Sequence, residues 1–210
     1  LKHKTCKKLK NQYIDRCVTN LVDAIKFKPQ IAIIANPTSH HMSISYPLAK
    51  LGIHLLIEKP ISNSSKDVLK LINICNSKKS ILMVGYNLRY MESLTKFREI
   101  LKKKMIGKIL SVRSEVGSYL PSWRTETDYK KSVSARKELG GGVLLELSHE
   151  IDYVSWLFGK FTILEIINSK ISSLKISSND HLTLLANFSK KSFLNISLNY
   201  YTKIPFRKMI

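Results

Sequence analysis

Ile31-Ala32-Ile33-Ile34-Ala35-Asn36-Pro37-Thr38-Ser39-His40-His41 is the stretch from which the rest of the chain is read. An unbroken apolar run rich in isoleucine, without polar alternation, predicts a strand buried on both faces of a parallel sheet. A polar turn follows it. Upstream, Val18, Leu21, Val22 and Ile25 recur at helical spacing, and Pro29 ends that helix. Downstream, a helix is expected from about Ser43 to Leu51, with Gly52 where a C-terminal cap belongs. His54 to Ile57 is a second short strand, closed by Glu58-Lys59-Pro60. Ser64, with Asp67 three residues on, predicts a capping-box-like start to a helix running to about Ser77, and Ile81 to Tyr86 is a third buried strand. Residues 17–86 thus alternate helix and strand with short loops, the signature of an open parallel sheet covered by helices.

After Tyr86 the texture changes. A helix is expected from about Glu92 to Lys104 and a strand from Ile109 to Ser118. A polar, aromatic loop from Tyr119 to Leu139 leads to Gly140-Gly141-Gly142 and a helix from Val143 to Phe158. His181 to Phe188 and Phe193 to Tyr201 alternate apolar with polar residues, the period of an antiparallel sheet with one face buried and one wet. The fold class is therefore α/β, with a parallel-sheet domain over residues 1–86 and an α+β domain with a mainly antiparallel sheet over residues 87–210.

Composition narrows the function classes. The 210 residues are 44% hydrophobic and 24% charged, ordinary for a globular protein. No apolar run approaches the ~18 residues that cross a bilayer, so no membrane partner is expected. The net charge of +20 raises nucleic acid as a partner. The basic residues are mostly lysine scattered along the chain, dense only over Lys2 to Lys10 and Lys102 to Lys104, so no nucleic acid is expected either. Cys6, Cys17 and Cys75 are odd in number without C-x-x-C spacing, which points to a reducing compartment, with neither a disulfide framework nor a zinc site. No secretory signal pattern opens the chain, and the expected location is cytoplasmic.

In open parallel sheets, ligands bind beyond the carboxyl ends of the strands. Two polar clusters fall there, Asn36 to His41 and Glu58-Lys59. Partial burial of Lys59 in that crevice would lower its pKa and make it a proton donor or acceptor. As a bare tripeptide, Glu-Lys-Pro reads equally as a solvated turn. Glu146 and His149 lie three apart on the expected helix, so they share a face, and a carboxylate there would raise the basicity of the imidazole. The alternatives are a surface pair or a core histidine. The preceding glycine triplet lets backbone approach a ligand closely. Tyr119, Trp123, Arg124 and Tyr129 are candidates to wall a pocket, although an aromatic loop more often serves packing.

Four segments in this order resemble the Gfo/Idh/MocA family of NAD(P)-dependent sugar oxidoreductases. They are Ile34 to His41, Glu58-Lys59-Pro60, Val84-Gly85-Tyr86-Asn87-Leu88-Arg89-Tyr90, and Gly140 through Asp152. The resemblance runs from about Cys17 to the end of the chain. It makes the first domain a partial Rossmann-like, dinucleotide-binding one and the second a substrate and oligomerisation domain. It implies NAD or NADP as cofactor, lined by Asn36, Pro37, Thr38, His41, Glu58 and Lys59, with Asn87, Trp123 and Arg124 closing over cofactor and substrate. Lys59 would relay a proton between nicotinamide and sugar, and His149 would be the second acid/base group, the two converging on one crevice. The implied substrate is a sugar or nucleotide sugar of surface-polysaccharide or sugar metabolism, and the full-length protein is expected to be a homo-oligomer.

The chain departs from the family pattern in two ways. Glu146 stands where the family usually has aspartate, one residue closer to the histidine than is common, which leaves its role open. The family's opening strand and G-x-G-x-x-G turn, which would hold the pyrophosphate on a helix N-terminus, are absent. The chain accordingly reads as an internal piece of a longer enzyme, cut at both ends. The competing reading is a non-catalytic descendant acting as a binding or scaffold subunit.

Overall fold

The computed structural model describes residues 16–189 and 192–210; the lysine-rich stretch from Lys2 to Lys10, and Cys6 within it, lie outside these. Helix α1 (Leu21–Lys26) is opened by Asn20, whose side chain accepts from the Asp23 N–H. Strand β1 (Ile31–Ile34), helix α2 (His41–Lys50), strand β2 (His54–Ile57), helix α3 (Val68–Ser77) and strand β3 (Leu82–Val84) follow. The three strands form a parallel sheet in the order β1-β2-β3, with Ile33 opposite Leu56 and Leu56 opposite Met83. Gly52, at φ +78°, turns the chain after α2, as its position predicts.

Two expectations for this region need correction. Helices α2 and α3 pack Leu48, Ala49, Leu71 and Cys75 against Ile34, Leu55 and Ile57 on one face of the sheet. On the opposite face Ile31, Ile33, Ile81 and Met83 are exposed over the described residues, so β1 is buried on one face only. An isoleucine-rich run reads alike in both situations, because it carries no polar alternation to mark an open side. The Ser64 start is the second correction. The helix begins at Val68, and Ser64 Oγ accepts from the Lys66 N–H in the preceding turn.

Helix α4 (Glu92–Lys102) leads to strand β4 (Ser111–Gly117), and a loop of short 3₁₀ turns brings the chain to α5 (Val143–Glu146) and α6 (His149–Phe158). Strands β5 (Thr162–Ser169), β6 (His181–Ser189), β7 (Ser192–Asn199) and β8 (Phe206–Met209) complete a sheet ordered β5-β6-β7-β4-β8. Its pairings are antiparallel except β4 with β7, which run parallel. Leu182, Leu184, Leu194, Ile196 and Leu198 point to α5 and α6 and meet Val143, Leu147, Tyr153 and Val154 in one core. The other face is open and carries exposed Ile167, Leu185 and Phe193.

The single helix expected over 143–158 is two. Leu147, at φ −100° and ψ 24°, leaves the helical region, so α5 ends at Glu146 and α6 restarts at His149. Val143, Leu147 and Val154 all reach the core, and their helix-like spacing hides the break from the sequence pattern.

Candidate active site

The two sheets meet along a seam built from a few residues. Gly140 fills a position at φ +83° where an added Cβ would lie 2.8 Å from the Thr38 Cβ, so the glycine lets the loop dock onto the turn after β1. Arg89 reaches α6 and binds Asp152 with both Nε (2.8 Å) and Nη2 (2.5 Å). Tyr86 packs edge-on against the His149 ring, centroids 5.6 Å apart, with its hydroxyl 3.5 Å from Ser148 Oγ.

Lys59 crosses this seam. It follows β2, its peptide bond to Pro60 is cis, and its side chain is 17% exposed. The ammonium donates to the backbone carbonyl of Glu146 at 2.7 Å and stands 3.6 Å from a carboxylate oxygen of the same residue. The carbonyl at the end of α5 is a natural acceptor, since the last carbonyls of a helix lack helical partners. Glu146 therefore faces Lys59. The charges that act on His149 are those of Lys59, Arg207 and Asp152.

Burial is the largest influence on His149, followed by the positive charges of Lys59 and Arg207, with Asp152 opposing them; together they lower its pKa from 6.5 to about 4. The imidazole is neutral at pH 7, the opposite of the raised basicity expected from a carboxylate partner. Its Nδ1 is buried without a hydrogen-bond partner in the structure. Lys59 and His149 thus share one electrostatic neighbourhood.

The turn after β1 is pinned from within. His41, 1% exposed, places Nδ1 3.0 Å from the Pro60 carbonyl and Nε2 2.9 Å from the Asn36 carbonyl, tying this turn to the one after Lys59. Thr38 is buried, Pro37 opens the 3₁₀ turn Thr38–His40, and Glu58 and Asn87 are exposed at the carboxyl ends of β2 and β3. Asn36 Oδ1 and Ser39 Oγ are buried without partners at the carboxyl end of β1. Buried orphan polar atoms are costly unless a ligand meets them, so these residues fit the sugar and nicotinamide end of a dinucleotide. The sequence supplies no G-x-G-x-x-G turn for its pyrophosphate.

The glycine triplet serves packing. A Cβ on Gly141 would collide with the carbonyls of Val133, Ser134 and Arg136, so here the backbone approaches other backbone, not a ligand. Among the four loop candidates, Trp123 walls a cleft, beside Phe206 and Arg207; Arg124 is exposed, and the Tyr129 hydroxyl accepts from the Lys175 N–H. Sequence reasoning gave no role to Tyr86, Arg89, Asp152, Glu150, Tyr200 or Arg207. Tyr86, Arg89, Glu150 and Asp152 fall inside the recognised segments and could have been singled out there. The others depend on strand pairing that brings β8 beside α6.

Residues 3–86 match the family profile described as "Oxidoreductase family, NAD-binding Rossmann fold", and residues 94–208 match "GFO/IDH/MocA C-terminal domain". The chain belongs to the Gfo/Idh/MocA family. Levoglucosan dehydrogenase of Pseudarthrobacter phenanthrenivorans is 28% identical over 138 residues, which are 65% of this chain and 35% of that protein. The 2,7-anhydro-N-acetylneuraminate hydratase of Escherichia coli is 28% identical over 128 residues, 61% of this chain and 33% of that protein. The chain therefore spans about a third of the length of these Gfo/Idh/MocA relatives. Among solved structures, GenD2 from gentamicin A biosynthesis, in complex with NAD, superposes with a TM-score of 0.82 at 20% identity, covering 97% of this chain and 57% of that one. The likeness to GenD2 is one of fold. No helix of the described residues is long and apolar enough to cross a membrane.

Proposed function

We propose that the protein carrying this chain is an NAD(P)-dependent oxidoreductase that moves a hydride between the nicotinamide and a CH–OH carbon of a sugar or nucleotide sugar. In this reading it works in the cytoplasm as a homo-oligomer. The observation that carries it is Lys59, whose ammonium spans the seam to Glu146 beside a neutral His149 with a free ring nitrogen. Membership of an oxidoreductase family supports it. When bound, the nicotinamide supplies the hydride acceptor. Asn36, Pro37, Thr38, Glu58 and Asn87 are the residues to hold it, with His41 fixing the turn and Trp123 and Arg124 on the substrate side.

The work left to the chain is proton and charge management. As hydride leaves carbon, the hydroxyl must lose its proton, and negative charge grows on oxygen. The Lys59 ammonium beside that oxygen stabilises the charge and relays the proton, while Glu146 holds the ammonium in place. His149, uncharged near pH 7, is the second acid/base group of this reading. The test is sugar-dependent reduction of NAD(P) by the protein carrying this chain. Replacing Lys59 by alanine should lower kcat by ~10²–10⁴-fold with KM for the dinucleotide little changed. Undiminished turnover removes Lys59 from the chemistry. Failure of the unsubstituted protein to bind dinucleotide at all favours the scaffold reading.

A further inference from the structure

Beside the Lys59–Glu146–His149 group lies a cleft of about 370 Å³ whose walls are Trp123, Phe206 and Arg207, with Leu147 between Glu146 and the cleft. Each wall is held by a specific contact. The Trp123 indole N–H donates to Ser118 Oγ at 2.6 Å, and its ring meets the buried Tyr200 edge-on at 5.3 Å. The Phe206 ring lies against the backbone of Gly117, where any Cβ would approach it to 2.7 Å. Arg207 gives only its Nε to Glu150, at 2.7 Å, and is 46% exposed. Among the described residues neither of its terminal amino groups has an acceptor. Behind these walls, Glu150 Oε2 and the Tyr200 hydroxyl are buried without partners, the first against Arg207 and the second in the residue that packs on Trp123.

We propose that this cleft is a subsite for a sugar acid, its carboxylate bound in parallel by the two terminal amino groups of Arg207. The outer edge of a guanidinium presents two donors at the spacing of a carboxylate's oxygens. The inner edge is already spent on Glu150, which fixes the plane of the fork. Aromatic walls suit the C–H face of a pyranose ring carrying that carboxylate. Selection rests on the fork more than on net charge, because Lys59 and Arg207 are offset locally by Glu146 and Glu150. The position is right for a substrate: Leu147, which lines the cleft, directly follows Glu146, whose carbonyl holds the Lys59 ammonium. This subsite rests on the oxidoreductase reading and names its substrate class as a uronic acid, free or nucleotide-linked.

Calorimetry on the protein carrying this chain, with D-glucuronate, D-glucose and glucose 6-phosphate as probes, tests it. Glucuronate should bind roughly tenfold or more tightly than either of the others, the scale of one well-placed charged hydrogen-bond pair. Arg207→Lys keeps a positive charge opposite buried Glu150 but has no fork, and should erase most of that preference. A second variant, Glu150→Gln with Arg207→Gln, removes both charges together so that no unpaired carboxylate stays buried, and should erase it too. Equal binding of glucuronate and glucose, binding of none of the probes, or a preference for the phosphate overturns the proposal. So does a preference that survives both variants. If neutral sugars reduce NAD(P) faster than uronates, the subsite falls while the oxidoreductase reading stands. If glucuronate binds through Arg207 yet no sugar reduces NAD(P), the reverse holds.

Discussion

His149 is where burial and neighbouring charge push in one direction, and its effect on stability has a definite sign. The folded state holds its pKa near 4, below the ordinary 6.5. Between those values the unfolded chain takes up a proton that the folded chain refuses, so this residue removes stability as pH falls through 6.5 and has removed all it can below about 4. Glu150 acts oppositely: burial raises its pKa despite Arg207, so acid costs the fold less there. Comparing His149→Gln with the parent cancels that background. The loss of melting temperature from pH 7 to pH 5 should be smaller in the variant; an identical slope would mean a solvated, unperturbed imidazole. Gly140 offers a second test. Gly140→Ala should cost about 1–3 kcal/mol in urea unfolding, from a left-handed backbone plus the clash with Thr38. Gly107, at φ +71° with nothing within 4 Å, isolates the backbone part, about 1–2 kcal/mol as alanine. Equal losses at the two sites would show that the Thr38 contact yields freely.

Among elements, the seam depends on how α6 meets the 3₁₀ turn Asn87–Tyr90. Arg89 is 41% exposed but Asp152 only 10%, so the carboxylate suffers more when the pair is broken. Arg89→Ala should destabilise by about 1–3 kcal/mol, and adding Asp152→Asn should restore part of that loss. Strictly additive losses in the double variant would show that the two side chains are not coupled. The elements themselves were largely legible. β2 and β6 lie close to their expected ends because apolar runs or strict alternation mark them, and α2 differs by a residue or two. The break at Leu147 was hidden, since Val143, Leu147 and Val154 keep helical spacing across it. The open side of β1 was hidden because isoleucines give no sign of which face is covered. Lys59 and His149 were legible through short motifs, but the partner of Lys59 lies 87 residues away and emerges only once the sheets pack. Arg207 and Glu150, 57 residues apart, needed the β4–β8 pairing in the same way.

For the molecule as a whole, the dominant feature is a net charge of +20 on 210 residues. Local pairing does little to relieve it. Arg136 meets Glu138, Lys96 meets Glu99 and Lys26 meets Asp23, all between exposed side chains worth little in water. Most lysines are left to repel one another, and that repulsion favours the expanded chain over the compact one. Salt shortens its reach, from about 30 Å at 0.01 M to about 8 Å at 0.15 M. Raising sodium chloride over that interval should therefore stabilise the fold, by about 1 kcal/mol or roughly 2–4 °C in melting temperature for a chain of this size. Scattered charge has a second consequence. A surface without a phosphate-tracking stripe should hold generic duplex DNA only weakly, with binding lost by about 0.15 M salt. A melting temperature that falls with salt would mean that attractive pairs outweigh the repulsion. DNA retained at 0.15 M would mean that the lysines form a continuous track, and the reading of their scatter would then fail along with the exclusion of nucleic acid.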